Sequence, residues 1–180
     1  MNYGWARSAM ALAMVVAMGV PLAACNREPV APDETAAQNL RAAEFFLSSN
    51  ARREGVQTLP SGVQYTVAHS GPTSGGRPDL NDLVRVNYEG TLTDGTVFDS
   101  SFESGQPAVF TVSDVVPGWT EILQQMRVGD EWIVYLPPAL GYGEQGRPGI
   151  PPNAVMVFRL KLLEVAPVPG GDRGGAVAQG

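Results

Sequence analysis

The chain has 180 residues, enough for one domain with extensions but short of two full-sized domains at roughly 100–200 residues each. Apolar residues make up 44% and charged residues 17%, which suits a buried core, while a net charge of −6 argues against a binder that tracks nucleic-acid phosphates with a basic stripe. One His and one Cys exclude a Cys/His metal cage and an internal disulfide, and no metal or other cofactor is expected.

After Arg7 comes an apolar run, residues 9–20. At about a dozen residues it is too short to cross a ~30 Å hydrocarbon core as a helix, yet it is the right size for a secretory signal. The following Pro21-Leu22-Ala23-Ala24-Cys25 resembles the lipobox of bacterial lipoproteins, in which the Cys takes the lipid and becomes the first residue after cleavage. That resemblance implies a signal peptide over residues 1–24, lipidation at Cys25 and attachment to a membrane, because several acyl chains exceed the marginal anchoring of one. Asn26 in place of Asp resembles the pattern for outer-membrane delivery, so the expected location is the periplasm-facing envelope, with the outer membrane favoured. Residues 25–60 read as a polar tether followed by a short amphipathic helix. The helix runs from Glu34 to Arg53, with Leu40, Ala43, Phe46 and Leu47 on one stripe and Gly55 as a stop. It either docks on the next domain or spaces that domain from the membrane. About twenty residues make a marginal coiled coil, which favours a monomer and leaves a dimer open.

Residues 61–166 alternate at period two, the signature of an antiparallel sheet with one wet face. Val63, Tyr65 and Val67 are expected inside, as are Val84, Val86 and Tyr88, then Trp132, Val134 and Leu136, and finally Met156, Phe158, Leu160 and Leu162. Thr93-Asp94-Gly95-Thr96 supplies a turn into Val97-Phe98. Only one stretch changes period: after Pro117-Gly118, residues Trp119, Ile122, Leu123 and Met126 give a short helix with a continuous apolar face, closed by Gly129. The expected fold is therefore α+β, an antiparallel sheet of five to six strands wrapped around one short helix. Residues 167–180, rich in Gly and Pro and without periodicity, read as a disordered tail.

Several local patterns do not carry the chemistry they suggest. Gly141-Tyr142-Gly143-Glu144-Gln145-Gly146 matches a dinucleotide fingerprint in letters, but Pro148, Pro151 and Pro152 forbid the helix that would hold a pyrophosphate. Asp94, Asp99 and Glu103 lack the spacing of a Ca²⁺ loop. Ser100 and Ser101 have no neighbouring base to activate them, and His69 reads as a solvated strand-end residue.

Five ordered blocks do carry a resemblance. They are Val86 through Ser101, Pro107-Ala108-Val109-Phe110 with Val115-Val116-Pro117-Gly118-Trp119, Gly141-Tyr142-Gly143, Pro148 through Asn153, and Val157-Phe158. Together they resemble the FKBP-type peptidyl-prolyl isomerases, the macrolide-binding immunophilins. Glu54 through Tyr65 and the form of the second block are similar to the bacterial branch around the macrophage infectivity potentiator, whose members usually carry a longer dimerising arm. The resemblance implies an isomerase domain over residues 61–166 that accelerates rotation about X–Pro bonds in exported or envelope proteins. Its alternative is a non-catalytic, proline-binding chaperone module with the same cleft. The implied catalytic set is Tyr88, Phe98 and Asp99 on one wall, Val116 and Trp119 at the floor, and Tyr142 and Phe158 opposite. Val115, Ile150, Ala108 and Arg147 are the implied substrate-binding set. Ala108 stands where the eukaryotic pattern has an aromatic and is expected to widen the mouth of the cleft, while Arg147 stands where a His is common. The implied partners are proline-containing polypeptides, macrolide inhibitors and the membrane through Cys25, with no nucleic acid.

Overall fold

The amphipathic helix and the alternating segments both form, in a computed structural model that describes residues 32–169. The expected signal peptide, Cys25 and Asn26 lie outside the described residues, as do residues 170–180 of the expected tail. Helix α1 (Pro32–Asn50) is followed by strands β1 (Gln57–Thr58), β2 (Gln64–His69), β3 (Leu83–Leu92) and β4 (Val97–Ser100). A single turn of helix, α2 (Ser101–Ser104), leads to β5 (Ala108–Thr111), α3 (Pro117–Leu123), β6 (Glu131–Leu136) and β7 (Met156–Ala166). Every strand pairing is antiparallel, in the order β1-β2-β6-β7-β3-β4, and β5 pairs with β3 beside β4.

The α+β class is as expected, with seven strands among the described residues rather than five or six. The surplus comes from β1, two residues that pair with Tyr65 and Gln64 and lie before the expected domain start at residue 61. Two residues are too few to show a period. On β3, β6 and β7 the alternation is as read, with Val84, Val86, Trp132, Val134, Leu136, Met156, Phe158, Leu160 and Leu162 all buried. They form one cluster with Trp119, Ile122, Leu123 and Met126, so α3 packs on the concave face of the sheet. The helix itself ends at Leu123, and Met126 reaches the core from the following turn, where its N–H bonds the Ile122 carbonyl at 3.2 Å.

β2 departs from the expected parity. Gln64 is 4% exposed, whereas Val67 is 41% exposed. The cause is α1, which lies over the outer face that the alternation had marked as wet. Gln64 Nε2 donates to the Leu47 carbonyl at 2.9 Å, and Gln64 Oε1 accepts from Asn50 Nδ2 at 2.9 Å. Beside it, Phe46 meets the ring of Tyr135, which is Gln64's cross-strand partner, with centroids 6.1 Å apart. Nearer its start the helix is tied to the loop before β7, where Asn39 Nδ2 donates to the Pro152 carbonyl at 2.8 Å and Asn153 Nδ2 donates to the Ala36 carbonyl at 3.0 Å. Ala43 is buried between these contacts. Of the two roles read for this helix, docking is the one seen.

The three described tail residues, 167–169, follow β7, and the Val168 N–H donates to the Asp82 carboxylate at 3.0 Å.

Gln64→Leu keeps the size of the side chain but leaves the buried Asn50 amide short of its acceptor. Urea unfolding should show a loss of about 1–3 kcal/mol, read as a lower midpoint at unchanged slope.

Candidate active site

The floor of the main cleft is set at the start of α3. Val116 is the N-cap and Pro117 occupies the first helical position, where a missing N–H costs nothing. The Val116 carbonyl accepts from the Trp119 and Thr120 N–H groups at 2.8 and 3.1 Å, and Thr120 Oγ1 reaches back to the Val112 carbonyl at 2.9 Å. This tight turn presents the Trp119 indole to three rings, each edge-to-face: Phe158 at 5.1 Å, Tyr88 at 5.2 Å and Phe110 at 5.7 Å. Trp119 Nε1 has no acceptor among the described residues, so the indole is held by ring packing. Phe98 stands edge-on to Phe158 at 5.6 Å. The Val116 N–H, at the rim of this floor, donates to no acceptor among the described residues.

These rings line an open cleft of about 450 Å³. Tyr88, Phe98, Asp99, Val115, Val116, Trp119, Tyr142, Arg147 and Phe158, all expected at the site, line this one hollow. Two expected residues do not. Ile150 is 3% exposed and belongs to the core, while its loop borders a separate surface depression. Ala108 sits half-buried on β5 and contributes no wall. Phe110, two residues on and hence on the same face of β5, does line the cavity. Phe110 stood inside the quoted motif, and strand periodicity starting from Ala108 would have found it. Asp114 also lines the cavity and had no sequence signal of its own.

Two residues beneath the site were not read from the sequence. A Cβ on Gly90 would lie 2.7 Å from both the Phe158 and Phe98 rings, so a hydrogen there is what lets the two phenyls meet. The second is Ser101. One edge of β3 is shared by β5, which pairs with residues 83–86, and β4, which pairs with residues 89–91. Tyr88 falls in the gap. Its N–H donates to Ser101 Oγ at 2.9 Å, and that hydroxyl donates to the Tyr88 carbonyl at 3.3 Å, so a buried side chain completes the ladder where no strand can.

The fixed Tyr88 places its hydroxyl against the Asp99 carboxylate. Burial, then this hydrogen bond and the carboxylate's charge, push the Tyr88 phenol up from 10.0 to about 12. Across the cleft, Tyr142 Oη accepts from Arg147 Nη1 at 2.6 Å. The site thus joins an apolar floor to a few fixed polar groups at its rim, a geometry suited to gripping and turning an apolar ring rather than to breaking a bond. Among the described residues, no group of three or more His, Cys, Asp or Glu side chains converges as metal ligands would.

Residues 75–163 match the family described as FKBP-type peptidyl-prolyl cis-trans isomerase, and residues 15–67 match the domain amino-terminal to it. A crystal structure of a peptidyl-prolyl cis-trans isomerase from Pseudomonas syringae aligns at 35% identity and a TM-score of 0.69, covering 78% of this chain and 100% of that one. The chain belongs to the FKBP-type isomerase family. An FKBP-type isomerase named FkpA from Aeromonas hydrophila is 47% identical over 141 residues, 78% of this chain and 52% of the relative. The outer membrane protein MIP of Legionella longbeachae is 44% identical over 134 residues, 74% of this chain and 57% of the relative. The chain therefore spans about half the length of the curated relatives it matches.

Gly90→Ala should separate the FKBP-type ring pair and lower stability by about 1–3 kcal/mol through overpacking, with the aromatic near-ultraviolet dichroism reduced. Tyrosinate absorbance should show one of the five tyrosines ionising near pH 12, and Asp99→Asn should bring it down while burial keeps it above 10. Below pH 10 the folded and unfolded chains both keep this proton and its contribution to stability is whole; it is lost as pH rises from 10 towards 12.

Proposed function

We propose that the chain accelerates cis–trans rotation about X–Pro bonds in proline-containing polypeptides of the bacterial envelope, and that macrolide inhibitors compete for the same cavity. The observation that carries this reading is the Trp119 floor boxed by Tyr88, Phe110 and Phe158, a dry seat for one pyrrolidine ring. Rotation crosses a barrier of ~20 kcal/mol and takes roughly 10–100 s unaided. At the perpendicular amide, resonance is lost and the carbonyl carries less charge. An apolar pocket therefore disfavours the planar ground state more than the twisted one, which is differential binding of the transition state. Bringing a step of ~30 s to about a millisecond needs roughly 6–7 kcal/mol.

The polar groups position and polarise. The unpartnered Val116 N–H and the Tyr142 hydroxyl are the donors for substrate carbonyls. Tyr88 holds the Asp99 carboxylate towards the twisting amide, where it acts by its field. No proton needs to move.

For location, the Cys25 lipobox and a relative named as an outer membrane protein support an exported, lipid-anchored protein with the outer membrane favoured. Burial of Ala43 against its own domain supports a monomer.

A protease-coupled assay on a short X–Pro peptide tests the activity. The full chain should turn the peptide over, and Asp99→Ala should lower kcat/KM about tenfold, which is ~1.4 kcal/mol, with its far-ultraviolet dichroism unchanged. Binding of the peptide without turnover would establish the chaperone alternative instead.

A further inference from the structure

Arg147 is the only basic side chain on the cavity wall. Its Cζ lies 4.7 Å from the Tyr142 ring centroid while Nη1 holds the Tyr142 hydroxyl oxygen at 2.6 Å, so one aromatic side chain fixes both the plane and one corner of the guanidinium. A guanidinium has five N–H donors, and one is committed here. The others stand at an exposed position with no ion pair: the salt bridges among the described residues involve Arg85, Arg159 and Lys161.

Neither carboxylate of the cavity forms an ion pair with Arg147. Asp99 faces the Tyr88 hydroxyl, and Asp114 accepts from Ser113 Oγ at 3.1 Å. A planar cation, oriented and without a direct ion pair, beside the seat for a proline is the arrangement that takes a carboxylate in bidentate fashion. The chain as a whole carries −6 and the cavity also holds Asp99 and Asp114, so within the cavity Arg147 alone offers an acidic segment attraction.

We infer that Arg147 is a specificity-determining residue that favours X–Pro segments in which the residue before proline is acidic. This rests on the isomerase reading above and names its substrate class. The same contact makes Arg147 a positioning residue: with one lone pair of Tyr142 Oη occupied by the guanidinium, the hydroxyl proton is left to donate to the substrate.

The test compares kcat/KM of the full chain on peptides Ala-X-Pro-Phe with X as Glu, Gln or Leu, each carrying a chromogenic amide. Glu and Gln differ in charge at nearly equal shape. The expected Glu-to-Gln ratio is about two- to fivefold, the range of an exposed ion pair. Arg147→Gln should bring the ratio to about one or below, and Arg147→Lys, which keeps the charge but not the planar fork, should retain part of it. A wild-type ratio of one or less, or a uniform fall across all three peptides with the ratio preserved in Arg147→Gln, would overturn the inference. Turnover of the Gln and Leu peptides reports the isomerase reading separately. Calorimetric binding of the same peptides measures the Glu preference and its loss in Arg147→Gln even where no turnover occurs, and equal affinities there would equally reject it.

Discussion

Edge-to-face packing around Trp119 is the constraint from which the rest of this molecule is arranged. Three rings drawn from β3, β5 and β7 meet one indole at the first turn of α3, and that indole has no hydrogen bond to hold it among the described residues. The helix is therefore seated by aromatic contact, and the cavity is the space these rings leave once packed. Fold and site are the same interaction seen from two sides: the inner side closes the core with Ile122 and Leu123, and the outer side forms the hollow. A cleft of about 450 Å³ among large rings needs supports that hold its walls in place.

Those supports lie in the backbone. Gly90 lets Phe98 and Phe158 approach, and Ser101 substitutes for a missing strand behind Tyr88. The split of one β3 edge between β4 and β5 leaves Tyr88 where the pairing passes from one strand to the other. A continuous partner strand would have bonded Tyr88 in the ordinary ladder, and the short helix that carries Ser101 would have had no place to begin.

What the sequence discloses depends on how local each feature is. The inward faces of β3, β6 and β7 and the apolar face of α3 were readable because period two and period 3.6 act within a few residues. Most of the cavity wall was readable as well, since the quoted blocks place Tyr88, Phe98, Asp99, Trp119, Tyr142 and Phe158 in order. The parity of β2 was not, because Gln64 is buried by a helix that precedes it by fourteen residues at its nearest contact, and no alternation records what will cover a face. Ala108 was singled out for lacking a ring, whereas Phe110, on the same face of the strand, lines the cavity and was not. Gly90 and Ser101 were quoted within a motif, yet their contacts with Phe98, Phe158 and Tyr88 become evident only in three dimensions.

Helix α1 is fastened near its start to Pro152 and Asn153 and at its end to Gln64. A load applied to the chain ahead of Pro32 would therefore reach the domain first through two asparagine amides, Asn39 on the helix and Asn153 on the loop that also carries Tyr142 and Arg147. The sheet, gripped by the far end of the helix, would take up strain later. Traction on the leading segment is thus felt at the rim of the cleft before it is felt in the core.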